Sequence, residues 1–387
     1  MQITLPRKLH HCPQCGSSHT IVSCYHTQTL KGITGCKMTF LYRCRRYQCQ
    51  DCGKTFVEER PFIQLYQRMP DSVIESIVQE HGDIVTETQI AHRHGVSVPT
   101  VMRHFAKAMK KAEADEAQRQ ELPEVLSMDE FRGNVGAKYQ VALNDLDRKQ
   151  CCSILANREK GILDASIQSY PQETREAVKL VSMDLSSYFR RLVEDYFPNA
   201  IVAADHFHAV RLANDALNEI RKDVQEKLEP AQRTAFKNAR RILLSRTHAL
   251  KPSTRTKLEV MLNLSDDLAH AYWLKEEYFD LFSSADRADF KQRLQSFANH
   301  VAEYGLADFK RLLRTTYQWK EEIWTGIQTG YSNGFTEGCN NTIKVIKRIS
   351  FGFRNIKNFR RRILFVLNNP DRQKRRSKIS KKVSHNR

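Results

Sequence analysis

The stretch YSNGFTEGCNNTIKVIKRISFGFRN, residues 331–355, determines how the rest of the chain is interpreted. It opens with an Asn-Gly turn signal, and the residues after the turn are predicted to form a helix. One face of that helix carries polar residues at helical spacing: Glu337, Asn341, Lys344 and Arg348. A carboxylate followed along one face by amides and cations favours a metal site that acts on a polyanion. A solvated surface helix of mixed charge is the alternative interpretation.

Two matched motifs earlier in the chain each carry an acid after an apolar run: SMDEF with Asp129 and SMDLS with Asp184. Residues 123–208 predict the order strand, strand, strand, helix, strand, helix, strand, with a hairpin joining strands at 138–147 and 150–157. This order fits a mixed sheet of the ribonuclease-H-like type, in which the first and fourth strands are neighbours. We therefore expect both acids to lie just past buried strands at one sheet edge. Like charges there need a divalent cation between them, and oxygen ligands favour Mg²⁺ or Mn²⁺.

The segment NAIVAADHFHAV is predicted to be a further strand, ending in Asp205, His206 and His208. Three interpretations of Asp205 and His208 remain open. Asp205 could replace Asp184 as a metal ligand, the pair could orient the site or the substrate strand, or His208 could be a hydrogen-bonded core histidine. We favour the second interpretation.

The charge distribution favours a nucleic-acid partner. The formal net charge is +18, and residues 344–387 hold 16 lysines and arginines against one acid. Residues 1–68 are also basic, whereas the middle of the chain is slightly acidic. Basic regions bind nucleic acid because each neutralised phosphate releases counterions. No apolar run is long enough to span a bilayer and no signal-peptide pattern is present, so we expect a cytoplasmic protein without a membrane partner.

The first 68 residues predict a zinc ribbon. Two CxxC motifs, each followed by a glycine, supply four thiolates for tetrahedral Zn²⁺: Cys12, Cys15, Cys49 and Cys52. Strand-forming residues between the motifs suit a ribbon, and so small a unit needs its metal to hold a core. Three arginines are expected to face phosphate: Arg43, Arg45 and Arg46. A purely structural zinc domain is the alternative.

Residues 69–122 predict a helix-turn-helix module and a connector helix. Two short helices and a longer basic one follow one another, with Gly95 at the turn. A basic helix after such a turn is typical of a major-groove reader. Its exposed face would consist of Thr100, Arg103, His104 and Lys107. A three-helix bundle unconnected with DNA has the same pattern.

The remaining segments are a predicted all-helical insertion over 209–330, a closing part of the core over 331–370 and a basic tail over 371–387, expected to be disordered. Cations alternate with aromatics in FGFRNIKNFRRRILFVLNN, which suits a helix lying across a phosphate backbone. Phe351, Phe353 and Phe359 would there be packed or stacking. The expected DNA contacts are Asn341, Lys344, Lys347, Arg348, Arg354, Lys357, Arg360 and Arg361.

These motifs together resemble the ISL-three type of bacterial insertion-sequence transposase over nearly the whole chain. The resemblance rests on CPQCG, CRRYQCQDCGKTFVEE, SMDEF, YFPNAIVAADHFHAVRLANDAL and SNGFTEGCNNTIKVIKRISFGFRN. It implies an Asp-Asp-Glu catalytic domain, interrupted by a helical insertion, that acts on the terminal inverted repeats of its own element. By position the first acid is Asp129 and the last is Glu337. The second is Asp184 by fourth-strand logic, with Asp205 as the alternative and His208 as its accessory in an Asp-x-x-His motif.

The sequence thus predicts a multidomain α+β protein with a zinc ribbon, a helix-turn-helix and a ribonuclease-H-like mixed α/β domain with a large all-α insertion. Two Mg²⁺ ions held by Asp129, Asp184 and Glu337 would support cleavage of double-stranded DNA and strand transfer from terminal inverted repeats into target DNA. Joining two DNA ends requires at least a homodimer. We expect the protein in the bacterial cytoplasm, at the nucleoid when bound. The alternatives are a zinc-ribbon DNA-binding regulator and a ribonuclease-H-like nuclease without transposition activity.

Overall fold

The computed structural model describes residues 2–33, 36–64, 67–119, 121–133, 135–233, 236, 238–331 and 333–370. The predicted tail over 371–387 lies outside them. The chain forms two compact units, one of Met1–Arg119 with Thr342–Arg387 and one of Gln120–Asn341. Among the described helices, none is long and apolar enough to cross a membrane.

The structure contains both strands and helices in each unit. The strands are β1 (Gln2–Ile3), β2 (Thr20–Ile33), β3 (Cys36–Cys49), β4 (Thr55–Val57), β5 (Val125–Arg132), β6 (Tyr139–Asp145), β7 (Gln150–Leu155), β8 (Leu180–Met183) and β9 (Ile201–Ala204). The helices are α1 (Asp71–Glu80), α2 (Glu87–His94), α3 (Val98–Arg119), α4 (Lys160–Gln168), α5 (Gln172–Glu176), α6 (Ser187–Tyr196), α7 (His206–Lys227), α8 (Pro230–Arg233), α9 (Ala239–Leu243), α10 (Pro252–Leu262), α11 (Asp266–Asp280), α12 (Arg287–Tyr304), α13 (Ala307–Gln318), α14 (Lys320–Thr329), α15 (Gly334–Ile349) and α16 (Ile356–Leu367).

The first unit begins with a sheet built on the long antiparallel pair β2 and β3, which β1 and β4 extend along β3. Buried apolar residues on these strands, among them Leu30 and Tyr42, form a small core with Ile63. A core of this size gives little stability on its own, because small domains bury too little apolar surface.

The three predicted helices of the helix-turn-helix region are present as α1, α2 and α3. Thr86 caps α2 through a reciprocal pair of hydrogen bonds with Gln89. The helix ends at Gly95, whose left-handed backbone (φ 62°) needs a residue without a Cβ. Val73, Ile90 and other buried residues of the three helices form the core of this bundle.

The last helix, α16, packs against the helix-turn-helix bundle. Phe365 meets Phe105 edge to face at 5.3 Å between ring centroids. The buried guanidinium of Arg362 donates to the carbonyl oxygens of Asp83 (3.1 Å) and Val85 (2.8 Å). The prediction that 331–370 belongs wholly to the catalytic core therefore does not describe α16, because its buried face is complementary to α1–α3.

The second unit contains a five-stranded mixed sheet in the order β7-β6-β5-β8-β9. β5 is antiparallel to β6 and parallel to β8, and β8 is parallel to β9. The predicted adjacency of the first and fourth strands is therefore confirmed. The hairpin between β6 and β7 is also as predicted, and Pro171 precedes the short helix α5.

Two strand ends differ from the prediction. β5 continues through Asp129 to Arg132, because its hairpin partner β6 pairs with it as far as Arg132, whereas its parallel ladder with β8 ends at Met128. Asp129 thus lies at the end of the parallel ladder but inside a strand. β9 ends at Ala204, and Asp205 caps the helix α7 that the sequence analysis treated as strand.

The helices α7–α14 follow β9 and form most of the apolar core of this unit together with the sheet. α14 approaches β9 closely at Gly326, where a Cβ would lie 2.6 Å from the carbonyl oxygen of Ala204. Only glycine fits at that distance, so Gly326 fixes α14 against the strand that leads into Asp205.

Candidate functional site

The ends of β8 and β9 bring two acids and a histidine together. One ligand atom from each of Asp184, Asp205 and His208 lies within 4.8 Å of the others. His208 Nδ1 is 2.7 Å from Asp184 Oδ1 and 2.8 Å from Asp205 Oδ2. These hydrogen bonds, with Asp184 first and Asp205 second, raise the pKa of His208 to about 10. The imidazolium therefore carries the positive charge between the two carboxylates.

Asp184 and Asp205 differ in their surroundings. Asp205 is buried, and its Oδ1 accepts a hydrogen bond from the backbone N–H of Phe207 (3.2 Å) as the cap of α7. Its other oxygen contacts His208. Asp184 sits directly after β8 with a side chain that is 23% exposed. Asp184 is thus the more accessible of the two, whereas both oxygens of Asp205 have partners inside the protein.

Asp129 is not one of the residues of that 4.8 Å group, but it interacts with their charges. Burial raises the pKa of Asp129 to about 7, and the negative charges of Asp184 and Asp205 act in the same direction while His208 opposes them. Carboxylates that together bind a hard cation repel one another when the cation is absent, and this repulsion makes one of them hard to ionise. Asp129 shows this behaviour beside Asp184 and Asp205.

Polar side chains attach α15 to the sheet. Asn340 Nδ2 donates to Asp129 Oδ2 at 2.5 Å. Thr336 and Ser127 share a hydrogen bond of 2.6 Å between their hydroxyl groups, both fully buried. At the start of the helix, Ser182 on β8 donates to the amide oxygen of Asn333 (2.8 Å). The helix therefore contacts both strands that carry the acids.

Glu337 is exposed on α15, one turn before Asn340. Residues three apart on a helix lie on the same face, with Cβ atoms about 5–6 Å apart. Glu337 therefore shares a helix face with Asn340, whose side chain contacts Asp129. The sequence analysis chose Asn341, four residues after Glu337, and missed Asn340, which has the same type of side chain and an equally valid helical spacing.

The donor set of this sheet edge fits a magnesium-type ion. Asp129 and Asp184 offer carboxylate oxygens at this edge, the ligands that Mg²⁺ and Mn²⁺ prefer. His208 Nδ1 contacts Asp184 and Asp205, and its positive charge lies between two carboxylates that would otherwise repel each other.

The four predicted cysteines form a second cluster, in the first unit. Their sulfur atoms all lie within 4.8 Å of one another, with 3.6 Å between Cys12 and Cys52 and between Cys15 and Cys49. Tetrahedral Zn²⁺ with bonds of about 2.3 Å would hold its sulfurs about 3.8 Å apart. The backbone amide of Cys15 lowers the pKa of the Cys12 thiol to about 6. The geometry and the donor set therefore fit zinc.

The glycine that follows each cysteine pair has a left-handed backbone. Gly16 (φ 73°) donates its backbone N–H to the carbonyl of Cys12, and Gly53 (φ 71°) donates to that of Cys49. These turns bring both cysteines of a pair to the same side of the chain.

Most of the predicted DNA-contacting residues are at the surface. The exposed ones are Arg43, Arg46, Arg103, Lys107, Asn341, Lys344, Arg348, Arg354, Lys357 and Arg360. The half-buried ones are Thr100, His104 and Lys347.

Two predicted phosphate contacts are wrong. Arg45 is buried and forms an ion pair with Glu58 at 2.9 Å, while its other nitrogen donates to the carbonyl of Leu5. Arg361 forms two hydrogen bonds of 2.7 Å with Glu113 on α3. In both cases an acid far along the sequence binds the guanidinium, so these arginines hold the fold together.

Comparison with known proteins shows which family the chain matches. The family model of ISL3-type DDE transposases, described as "Transposase", matches residues 126–363, which include Asp129, Asp184, Asp205 and Glu337. The transposase for insertion sequence element IS1001 of Bordetella parapertussis is 24% identical over 355 residues, 89% of this chain and 85% of its own length. The transposase for IS1557 of Mycobacterium tuberculosis is 23% identical over 252 residues, 59% of this chain and 56% of its own length.

A further relative, an ATP-dependent protease of Lactococcus lactis, is 33% identical over 104 residues, 27% of this chain and 32% of its own length. That similarity is confined to about a quarter of the chain, whereas the family match spans more than half of it. The chain therefore belongs to the ISL3 family of DDE transposases, and it is a DNA transposase.

Proposed function

We propose that this transposase binds the terminal inverted repeats of an insertion sequence and carries out Mg²⁺-dependent cleavage and strand transfer on a ribonuclease-H-like core. The observation that carries the proposal is the meeting of three distant parts of the chain. Asp129 on β5 and Asp184 after β8 stand on neighbouring parallel strands, and Asn340 attaches the helix of Glu337 to Asp129. The strand order, with the first and fourth strands adjacent, supports the ribonuclease-H-like assignment.

In this proposal Asp129, Asp184 and Glu337 hold the divalent cations. When bound, these ions would activate water and stabilise the charge that develops on the reacting phosphate. Asp205 holds His208 by a hydrogen bond, and His208 in turn orients Asp184. Asn340 orients Asp129. No nucleophilic side chain is required, because water and then the freed DNA 3′-hydroxyl attack the phosphodiester.

The first unit supplies DNA contacts in this proposal. The cysteine cluster is a zinc ribbon that presents Arg43 and Arg46, and α3 presents Arg103 and Lys107 as the major-groove reader. The exposed cations Lys344 and Arg348 on α15, with the half-buried Lys347, neutralise phosphates beside the reacting one. Because two ends of the element are joined in one reaction, the active form is at least a homodimer.

Asp129→Asn tests the catalytic assignment. The probe is duplex DNA from either side of the gene that carries the matched inverted ends. We expect wild type to cut and join it in Mg²⁺, and Asp129→Asn to lower the rate about a hundredfold or more, since a group needed in the transition state is lost. Binding of the same DNA, measured by electrophoretic mobility, should persist. Asp195→Asn, at an exposed acid on α6, is the matched control and should react normally.

The alternatives give different results in the same assay. Specific binding by wild type without any metal-dependent cutting would support the DNA-binding regulator. Cutting without joining would support a nuclease without transposition activity. Normal strand transfer by Asp129→Asn would show that the assigned acids do not form the catalytic centre.

A further inference from the structure

The side chain of Phe351, two residues after the end of α15, projects into solvent. It is 98% exposed, whereas Phe353 in the same FGFRN segment is half-buried. The rings of Phe353 and Phe359 lie 4.9 Å apart, and Phe359 is fully buried. Of the three aromatics that the sequence predicted to be packed or stacking, two are packed, and Phe351 has no share in that core.

The backbone of Phe351 is also unfavourable for its residue type. Its φ of 49° lies in the left-handed region, which a bulky side chain rarely adopts. The N–H of Gly352 donates to the carbonyl of Lys347, and that of Phe351 donates to the carbonyl of Arg348, both at 3.2 Å. This is the Schellman ending of a helix, in which the left-handed position is usually glycine. Here phenylalanine occupies it and glycine follows.

Phe351 therefore combines two features that each disfavour the folded state, a strained backbone and a large apolar surface in water. Strain of this kind is common at ligand-binding positions, where contact with the ligand supplies the compensation. Neither the hydrogen bonds of the helix end nor the adjacent aromatic pair needs a phenylalanine here, since glycine would form the same backbone bonds.

The charge around Phe351 indicates what it contacts. Residues 338–370 contain eight lysines and arginines and no acid. Arg348 and Arg354, on either side of Phe351 in the sequence, are both exposed. A partner that offers both negative charge and a flat apolar surface is DNA with an accessible base. A second copy of this chain would bring two basic surfaces together, which charge repulsion disfavours.

We propose that Phe351 is a wedge that stacks on an unpaired base of the DNA, while the neighbouring cations hold the phosphates on either side. The inference rests on the proposed DNA-end binding and adds to it a preference for distorted over fully paired DNA. Apolar side chains that insert next to a base replace the lost stacking in this way. The fixed left-handed backbone keeps the ring projecting from the helix end, ready to insert.

The test uses the full-length zinc-loaded protein and two probes. One is a short duplex with a single unpaired 2-aminopurine, and the other is the same duplex fully paired. Stacking quenches 2-aminopurine fluorescence. We expect wild type to prefer the unpaired probe and quench it, and Phe351→Ala to lose about 10- to 100-fold in affinity for that probe while binding paired DNA as before. Phe351→Trp should retain the preference.

Phe351→Gly separates function from folding. Glycine relieves the left-handed strain, so this variant should be at least as thermally stable as wild type, yet it should lose the preference for the unpaired probe. Arg354→Ala is the matched control, because loss of a phosphate contact should weaken binding of both probes equally.

Four results would overturn the inference. Equal affinity of wild type and Phe351→Ala for the unpaired probe would refute it and leave the proposed function intact, because paired DNA would still bind. A loss of stability in Phe351→Gly would assign the residue a folding role instead. A dimer that becomes monomeric in Phe351→Ala, with unchanged quenching, would identify a contact between subunits. If wild type bound neither probe, the proposed function would fail as well.

Discussion

Thr336→Val removes one hydroxyl group from the contact between α15 and the sheet and keeps the shape of the side chain. Thr336 is fully buried, and its hydroxyl lies 2.6 Å from that of Ser127 and 3.4 Å from the amide nitrogen of Asn144. All three side chains are inaccessible to water. The substitution therefore leaves the Ser127 hydroxyl without one partner in a place where water cannot replace it.

The cost follows from these contacts. A buried polar group that loses its partner costs about 1–3 kcal/mol, and the new methyl group returns about 0.8 kcal/mol through burial. Asn144 keeps its contact with Ser127 at 3.3 Å, so only part of the network is lost. We expect the free energy of unfolding to fall by about 1–2 kcal/mol.

Urea unfolding of the full chain measures this change, and a double-mutant cycle tests its origin. Ser127→Ala alone should also destabilise, and the costs of the two substitutions should not add, because the two hydroxyls bond each other and both accept from the amide of Asn144. Thr329→Val is the control, since that hydroxyl bonds only its own helix, at the carbonyl of Thr325, and should change stability by under about 0.5 kcal/mol. Additive costs for the Ser127 and Thr336 variants would refute the reasoning.

Three further outcomes follow from the described contacts. Removing zinc with a chelator, or replacing Cys52 by serine, should unfold the β2–β3 sheet region, seen as increased proteolysis there while α7–α14 stay protected. His81 stacks on Phe105, and burial lowers its pKa to about 4. Because the pKa of histidine in the unfolded chain is about 6.5, only the unfolded chain binds this proton between pH 6.5 and 4, and up to about 3 kcal/mol of stability is lost as the pH falls through that range. His81→Leu should flatten that part of the pH profile of urea unfolding. Gly326→Ala should lower the midpoint of thermal unfolding and the rate of strand transfer together, because the new Cβ would lie 2.6 Å from the carbonyl oxygen of Ala204. An unchanged midpoint would contradict the close approach of α14 to β9.

The sheet of the second unit could be predicted from local sequence because its strands are short apolar runs separated by clear turns. The positions of Asp129 and Asp184 at adjacent strands followed from strand order alone. Strand ends were less predictable. β5 runs past Asp129 because β6 pairs with it, and a pairing partner in the next strand leaves no mark on the residues of β5 themselves.

Side-chain partners distant in the sequence could not be predicted. Arg45 and Arg361 lie in basic segments, so the local sequence predicts for both the same DNA contact that it predicts for their exposed neighbours. Glu58 lies 13 residues from Arg45, and Glu113 lies 248 residues from Arg361. Only the fold brings these acids to the arginines, so charge pattern alone overestimates the DNA-binding surface.

The contact between α15 and the sheet explains why polar residues occupy a stripe that is usually apolar. Asn333, Thr336 and Asn340 recur at the spacing of a helix face that packs on a core. Apolar contacts there would let the helix rotate or slide with little change in energy, whereas hydrogen bonds fix direction as well as distance. Since successive residues are about 100° apart around a helix, a slip of one residue would break these bonds and turn a different face of α15 toward the strands. Polar bonds are therefore the means by which a helix more than 200 residues away in sequence is held in register with Asp129.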